Sequence, residues 1–261
     1  MTLTDNLLRW SVQLLLILTR VSAMFVLSPI LGRQNIPNML KVGFSLLVAF
    51  IMLSIYPPAM QYPFLSAPGL MLAIASELLV GLIVGFITML FFALVNVAGH
   101  IIDMQIGFAM AEMYDASANT RMPISASLLN VVMIQCFLAA GGLSRLFGVV
   151  MRSFDYIPVG GAVFPATLAG VALGTFAKCF VLSLNVAMPL IASAMLAEIG
   201  LGIIVRTAPQ MNVFVIGIPI KVIIGLVMLL LLTPVFVMAT GSIFDMMYEA
   251  IDDVVGGMMP I

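Results

Sequence analysis

Apolar residues run along this chain in long blocks without period-two alternation, which predicts membrane-length helices rather than strands. The first block, Trp10 to Leu31, is long enough to cross a bilayer at about 1.5 Å per residue, with Arg20 near its middle and Arg9 and Arg33 at its ends. Pro29 and Gly32 close it, and Pro37 is placed to open a second helix, Leu40 to Tyr56. Pro57, Pro58, Pro63 and Pro68 then exclude helix and suggest an extended, uncharged connection. A third block, Gly69 to Val97, holds Glu77 and the small-xxx-small pair Gly81 and Gly85. A fourth, Leu128 to Met151, has Gly141 and Gly142 where a kink is easy. The fifth, Thr167 to Val205, is interrupted by Lys178, Asn185, Pro189 and Glu198 and reads as one kinked helix or two. With the sixth, Val213 to Thr240, it makes a hairpin joined by Arg206 to Asn212. From Ser242 onward, Phe244, Met247, Ile251 and Val254 repeat at helical spacing against Asp245, Glu249, Asp252 and Asp253, which predicts a short acidic amphipathic helix docked on a partner or in solvent.

Between the two apolar halves lies one polar interruption, Asn96 to Ser127. It gathers His100, Asp103, Gln105, Glu112, Tyr114, Asp115, Asn119 and Arg121 among Met104, Met110, Met113 and Met122. Long loops in compact chains are usually functional or disordered, and this one is taken as functional.

Composition narrows the class. Hydrophobic residues make up 63% and charged residues 8%, against about a quarter charged in soluble domains, so the chain is an integral membrane-type protein. A net charge of -1 supplies no basic patch, so nucleic acid is not an expected partner. Cys136 and Cys179 stand alone in apolar runs and read as buried thiols, with no metal site or cofactor indicated. The N-terminus, with Asp5 and an apolar run that continues past any small-residue cleavage signal, does not read as a cleaved leader. The cations do not orient six spans: Arg9, Arg145 and Arg152 on one face nearly balance Arg33, Lys41, Arg121 and Arg206 on the other. Charges and prolines inside nearly every span suit a chain covered by protein, because irregular backbone at depth needs protein or water around it.

Three segments carry a family resemblance: Pro29 to Leu46, Gly99 to Asp115, and Glu198 to Lys221. They resemble the FliR/SctT family, subunits of the type III export gate in flagella and virulence secretion systems. The third is the most specific, with Arg206, Ala208, Pro209, Gln210, Asn212, Phe214, Gly217, Pro219 and Lys221 at the family's spacing. The resemblance implies an all-α fold of membrane-type helical hairpins: a FliP-like region over 1–186, a FliQ-like hairpin over 187–240 and an acidic tail over 241–261. It implies a hetero-oligomer with FliP- and FliQ-like subunits, FlhB- and FlhA-like export proteins nearby, and unfolded polypeptide as cargo. The setting it implies is the bacterial inner membrane within the flagellar basal body, with the assembly held largely above the lipid plane. The family's central loop plugs the pore and corresponds here to about Ile106 to Pro123. Two positions depart from the pattern: His100 stands where an acid is common, and Ala116 follows Asp115 where proline is frequent.

On that reading the residues acquire roles. A conduit for any unfolded sequence needs a deformable apolar seal, and methionine, unbranched and polarizable, supplies one. Met104, Met110, Met113 and Met122, with Tyr114, are the candidates; Asp103, Glu112, Asp115 and Arg121 are candidates for charge pairs that hold the plug closed. His100 is read as a packing or capping residue before a pH sensor. Arg206, Pro209, Asn212, Pro219 and Lys221 are assembly candidates, the two cations being expected to pair with acids of neighbouring subunits.

Two other classes compete. An intramembrane hydrolase could use Gly142-Leu143-Ser144, but the single His lies upstream with none later to serve as base, and catalysis is not expected. A secondary transporter or small-solute channel could relay ions through Glu77, Asp103, Lys178 and Glu198, yet the halves show no paired repeat.

Overall fold

The computed structural model describes residues 3–33, 36–58, 66–108, 123–207 and 213–259. Every regular element among them is a helix: α1 (Leu3–Leu27), α2 (Asn38–Ile55), α3 (Ala67–Ile106), α4 (Ile124–Ala139), α5 (Gly142–Tyr156), α6 (Thr167–Thr207) and α7 (Val213–Gly256). Five are long and apolar enough to cross a membrane, or six if α4 and α5 count as one broken span. The all-α, membrane-type fold is therefore as the apolar blocks predict.

Several boundaries differ from the sequence reading, each for a local reason. Pro68 does not exclude helix; it sits in the first turn of α3, where its missing N–H removes no helical hydrogen bond. The polar interruption begins later than Asn96, because α3 continues to Ile106 on a buried stripe of Phe91, Val95, Ala98, Ile102 and Ile106 at helical spacing. The fourth block is two helices. α4 ends at Ala139, Gly141 takes the left-handed conformation at φ 67°, and α5 starts afresh. The fifth block is one helix that runs through Pro189. The acidic tail is no separate helix either, because α7 continues without interruption through Gly241 to Gly256.

The chain divides into two packed units. The first comprises Met1–Leu90, Gly141–Thr175 and Asp245–Ile261. In it Ile17, Val21 and Met24 of α1 are buried with Val80, Val84 and Ile87 of α3 and Leu146, Val150 and Phe154 of α5. Gly81 and Gly85 form a true seam: an added Cβ at Gly81 would overlap the Arg20 carbonyl and the Ala23 side chain, and one at Gly85 would press on Met24 and Leu27. Phe25, Phe44 and Phe147 pack ring against ring at 5.3 to 5.8 Å between centroids.

The end of α7 docks within this unit, not on a partner or in solvent. Met247, Ile251 and Val254 are buried. Asp245 and Asp252, seven residues apart, pair with Arg145 and Arg152 of α5, also seven apart, at 3.0 and 3.6 Å. Between them Tyr248 donates to the Gly142 carbonyl at 2.9 Å, and the Arg145 guanidinium lies 4.4 Å from its ring centroid.

The second unit comprises Phe91–Ala140 and Phe176–Phe244. Its core joins Phe92 and Ile102 of α3, Leu129, Met133 and Phe137 of α4, Ala187 and Leu190 of α6, and Leu229 and Phe236 of α7. The Phe137 ring meets Phe92 and Phe244 edge-on, at 5.3 Å each. Gly225 leaves the space that the Ile106 side chain fills.

Candidate functional site

The described residues on either side of the central polar segment lie in the second unit. Gly107, at φ 95°, terminates α3 and donates its N–H to the Asp103 carbonyl at 3.1 Å. On the other side, α4 starts at Ile124 after Pro123, which offers no side-chain cap for the free N–H groups of the first turn. Asp103 supplies that cap from α3. Its carboxylate accepts from the Ser125 N–H at 3.1 Å and from the Ser125 hydroxyl, while the aspartate itself is buried. One turn and two turns further back, Gly99 packs directly on Ala126, and Asn130 donates to Asn96 at 3.2 Å.

Of the plug candidates, Met104 is on the last turn of α3 and 71% exposed. Met110, Glu112, Met113, Tyr114, Asp115, Arg121 and Met122 lie outside the described residues. His100 is exposed on α3.

A second polar cluster sits in the first unit. Arg20, 2% exposed, faces Glu77, 0% exposed. Its Nε donates to Glu77 Oε2 at 2.5 Å and its Nη2 to Oε1 at 3.0 Å. Nη1 donates to the Ser153 carbonyl at 3.0 Å and Oγ at 3.2 Å, and Nη2 to the Ile157 carbonyl at 3.1 Å. All five guanidinium donors are thus matched. Glu77 gains a further donor from the Gly160 N–H at 2.7 Å, and the Phe154 ring lies 4.0 Å from the guanidinium. The cluster ties α1 to α3 and to the C-terminal end of α5, where a cation complements the helix dipole. Nearby, Tyr56 donates its hydroxyl proton to Asp155. Burial, then that hydrogen bond and the Asp155 charge, push its pKa from 10.0 up to about 12.

The hairpin residues divide. Lys221 pairs with Glu198 of the same chain, although a neighbouring subunit's acid was the expected partner. Arg206 is exposed on the last turn of α6, Pro219 is exposed inside α7, and Pro209 and Asn212 lie outside the described residues. The sequence marks Arg20 and Glu77 as charges within apolar blocks but does not pair them. The available signal was that each is the lone ionisable group deep in its own apolar block. The Asp103 cap was also missed; Pro123, followed by Ser125 at the start of an apolar helix, hints at a helix start without a local acceptor. Of the four residues suggested for an ion relay, Glu77, Asp103 and Glu198 are each engaged by a structural partner within their own unit, while Lys178 has no ion pair among the described residues.

These features define an all-helical, multi-pass membrane protein whose buried polar groups join helix to helix. Residues 11–247 match the family described as bacterial export proteins, family 1. The chain is 31% identical over 241 residues to the flagellar biosynthetic protein FliR of Bacillus subtilis, covering 90% of this chain and 91% of that protein. It is 28% identical over 240 residues to FliR of Escherichia coli, covering 91% and 90%. It is 32% identical over 212 residues to the Yop proteins translocation protein T of Yersinia pestis, covering 79% and 80%. The chain belongs to the bacterial export protein family 1.

Proposed function

We propose that this chain is a core subunit of the flagellar type III export gate, where it helps form and obstruct the channel that passes unfolded flagellar proteins across the inner membrane. Family membership and the extent of the FliR likeness make it a type III export apparatus subunit, multi-pass in the inner membrane of the flagellar basal body. The finer reading assigns residues 1–186 a FliP-like role, 187–240 a FliQ-like role and 106–123 the plug. Its partners are FliP- and FliQ-like subunits, with FlhB- and FlhA-like proteins adjoining.

One observation carries the assembly part of this reading. Apolar side chains are exposed along α6 from Phe176 to Val205, a stretch of about 44 Å at 1.5 Å per residue. The hydrocarbon core of a bilayer is only about 30 Å thick. Lipid cannot cover that face end to end, so protein must cover the remainder. Met104, exposed on the last turn of α3, suits the deformable seal the plug requires.

The test is co-expression of the tagged chain with its FliP- and FliQ-like subunits, followed by purification in mild detergent and a leak assay in cells. The expected outcome is one hetero-oligomer, and deletion of 106–123 is expected to leave it assembled while raising ion and small-molecule leak. A chain purified alone and stable in lipid, or a deletion without added leak, overturns the proposal.

A further inference from the structure

The exposed face of α6 is apolar but not uniformly so. Counting by helical spacing, Lys178, Val181, Asn185, Met188, Ala192 and Leu196 share one side, opposite the buried Cys179, Ser183, Ala187, Leu190 and Ala194. All six are exposed. Lys178 carries no ion pair among the described residues, and exposed Phe176 and Phe180 flank it along the helix. It lies about 16 Å along the axis from the start of α6 at Thr167. An isolated ammonium on an apolar face is costly once that face is covered by hydrocarbon or by protein that brings no counter-charge.

Two turns on, the same face presents a second polar locus. Asn185 is exposed and carries a side-chain amide. Pro189, four residues later inside the helix, has no N–H to give the Asn185 carbonyl, which is therefore available as an acceptor. Lipid offers nothing to a cation, an amide and a free carbonyl in one row. A helix with matching groups satisfies all three.

We infer that this face of α6 binds an apolar helix of another subunit which brings a carboxylate to Lys178 and, two turns along, a hydrogen-bond donor to the Asn185 carbonyl. This rests on the reading of the chain as one subunit of an assembled gate, and it adds the partner's chemistry and register. Within so apolar an interface the charge fixes which helix docks and at what height, since a shifted register leaves a buried charge unpaired.

The experiment uses the intact complex. A zero-length carbodiimide activates a carboxylate, the Lys178 amine attacks it, and the resulting amide marks any acid in direct contact. The expected result is a Lys178 cross-link to one Asp or Glu of a partner subunit, identified by mass spectrometry. Lys178→Arg should still assemble but lose the cross-link, because a guanidinium keeps the pair and is not acylated. Lys178→Glu should lower recovered partner by about ten-fold or more, as like charges facing across an apolar interface repel. Charge reversal of the cross-linked acid should restore it. An intact wild-type complex without this cross-link, a Lys178→Glu complex recovered at the wild-type level, or Lys178 cross-linked only to anionic lipid overturns the inference. Failure of the wild-type chain to recover any partner instead overturns the gate-subunit reading.

Discussion

The Arg20 cluster makes a demanding prediction. Arg20→Ala leaves the Glu77 carboxylate buried with only the Gly160 N–H and removes the donors that met the Ser153 and Ile157 carbonyls. Breaking a buried ion pair by deleting one partner costs about 3 to 5 kcal/mol. The Ile157 carbonyl stranded at the end of α5 adds about 1 to 3 kcal/mol if no other donor reaches it. Glu77→Leu should lose a similar amount, because the guanidinium charge remains without its counter-ion. The double substitution Arg20→Met with Glu77→Leu should lose far less than the sum of the two. Exchanging the charges, with Arg20→Glu and Glu77→Arg, should not recover stability, since a carboxylate at position 20 would face two carbonyl oxygens. The chain has one tryptophan, Trp10, on α1 in the same unit, so its fluorescence during denaturant titration in detergent reports this region. An unfolding free energy for Arg20→Ala within about 1 kcal/mol of wild type, or recovery by the charge exchange, refutes the reasoning.

Three further outcomes follow from the same geometry. Gly81→Ala should destabilise the first unit by about 1 to 3 kcal/mol, through overlap of the new Cβ with the α1 backbone; Gly43→Ala, where nothing lies within 4 Å, is the control. Arg152→Ala should cost only about 0.2 to 1 kcal/mol, and less at high salt, because the pair is exposed, and Arg145→Ala about 0.5 to 1 kcal/mol more because its guanidinium also lies over the Tyr248 ring; denaturation at two ionic strengths measures this. Tyr56 has its folded pKa raised to about 12, so the neutral phenol is the form the fold favours. Its contribution to stability is complete below pH 10 and is lost as pH rises through about 12, and absorbance titration should show late-ionising tyrosine absorbance that drops by one residue's share in Tyr56→Phe.

What the sequence disclosed and what it hid separate along one physical line. Apolar length and helical spacing are local, so the existence of α1, α2, α6 and the body of α7 was legible. So was the break at Gly141, where a flexible residue stands between two apolar halves. Polar residues were read by a different rule, as interruptions, and there the reading failed in a consistent way. Asn96 and Asp103 looked like the beginning of a loop, yet both lie on α3 because Asn130 and Ser125 satisfy them from α4. The acids after Ser242 read as facing a partner or solvent, yet Asp245 and Asp252 meet arginines 100 residues away in the same chain. Arg20 stood alone near the middle of an apolar block because its partner, Glu77, lies 57 residues on. Whether a polar group in an apolar helix ends the helix or joins it to another depends on who stands opposite, and that is not a property of the local sequence. The same logic now applies one level up. Lys178 and Asn185 stand on α6 as Arg20 stood on α1 in the sequence, polar groups in an apolar block with the partner not yet in view. The precedents inside the chain argue that such residues mark where another helix docks.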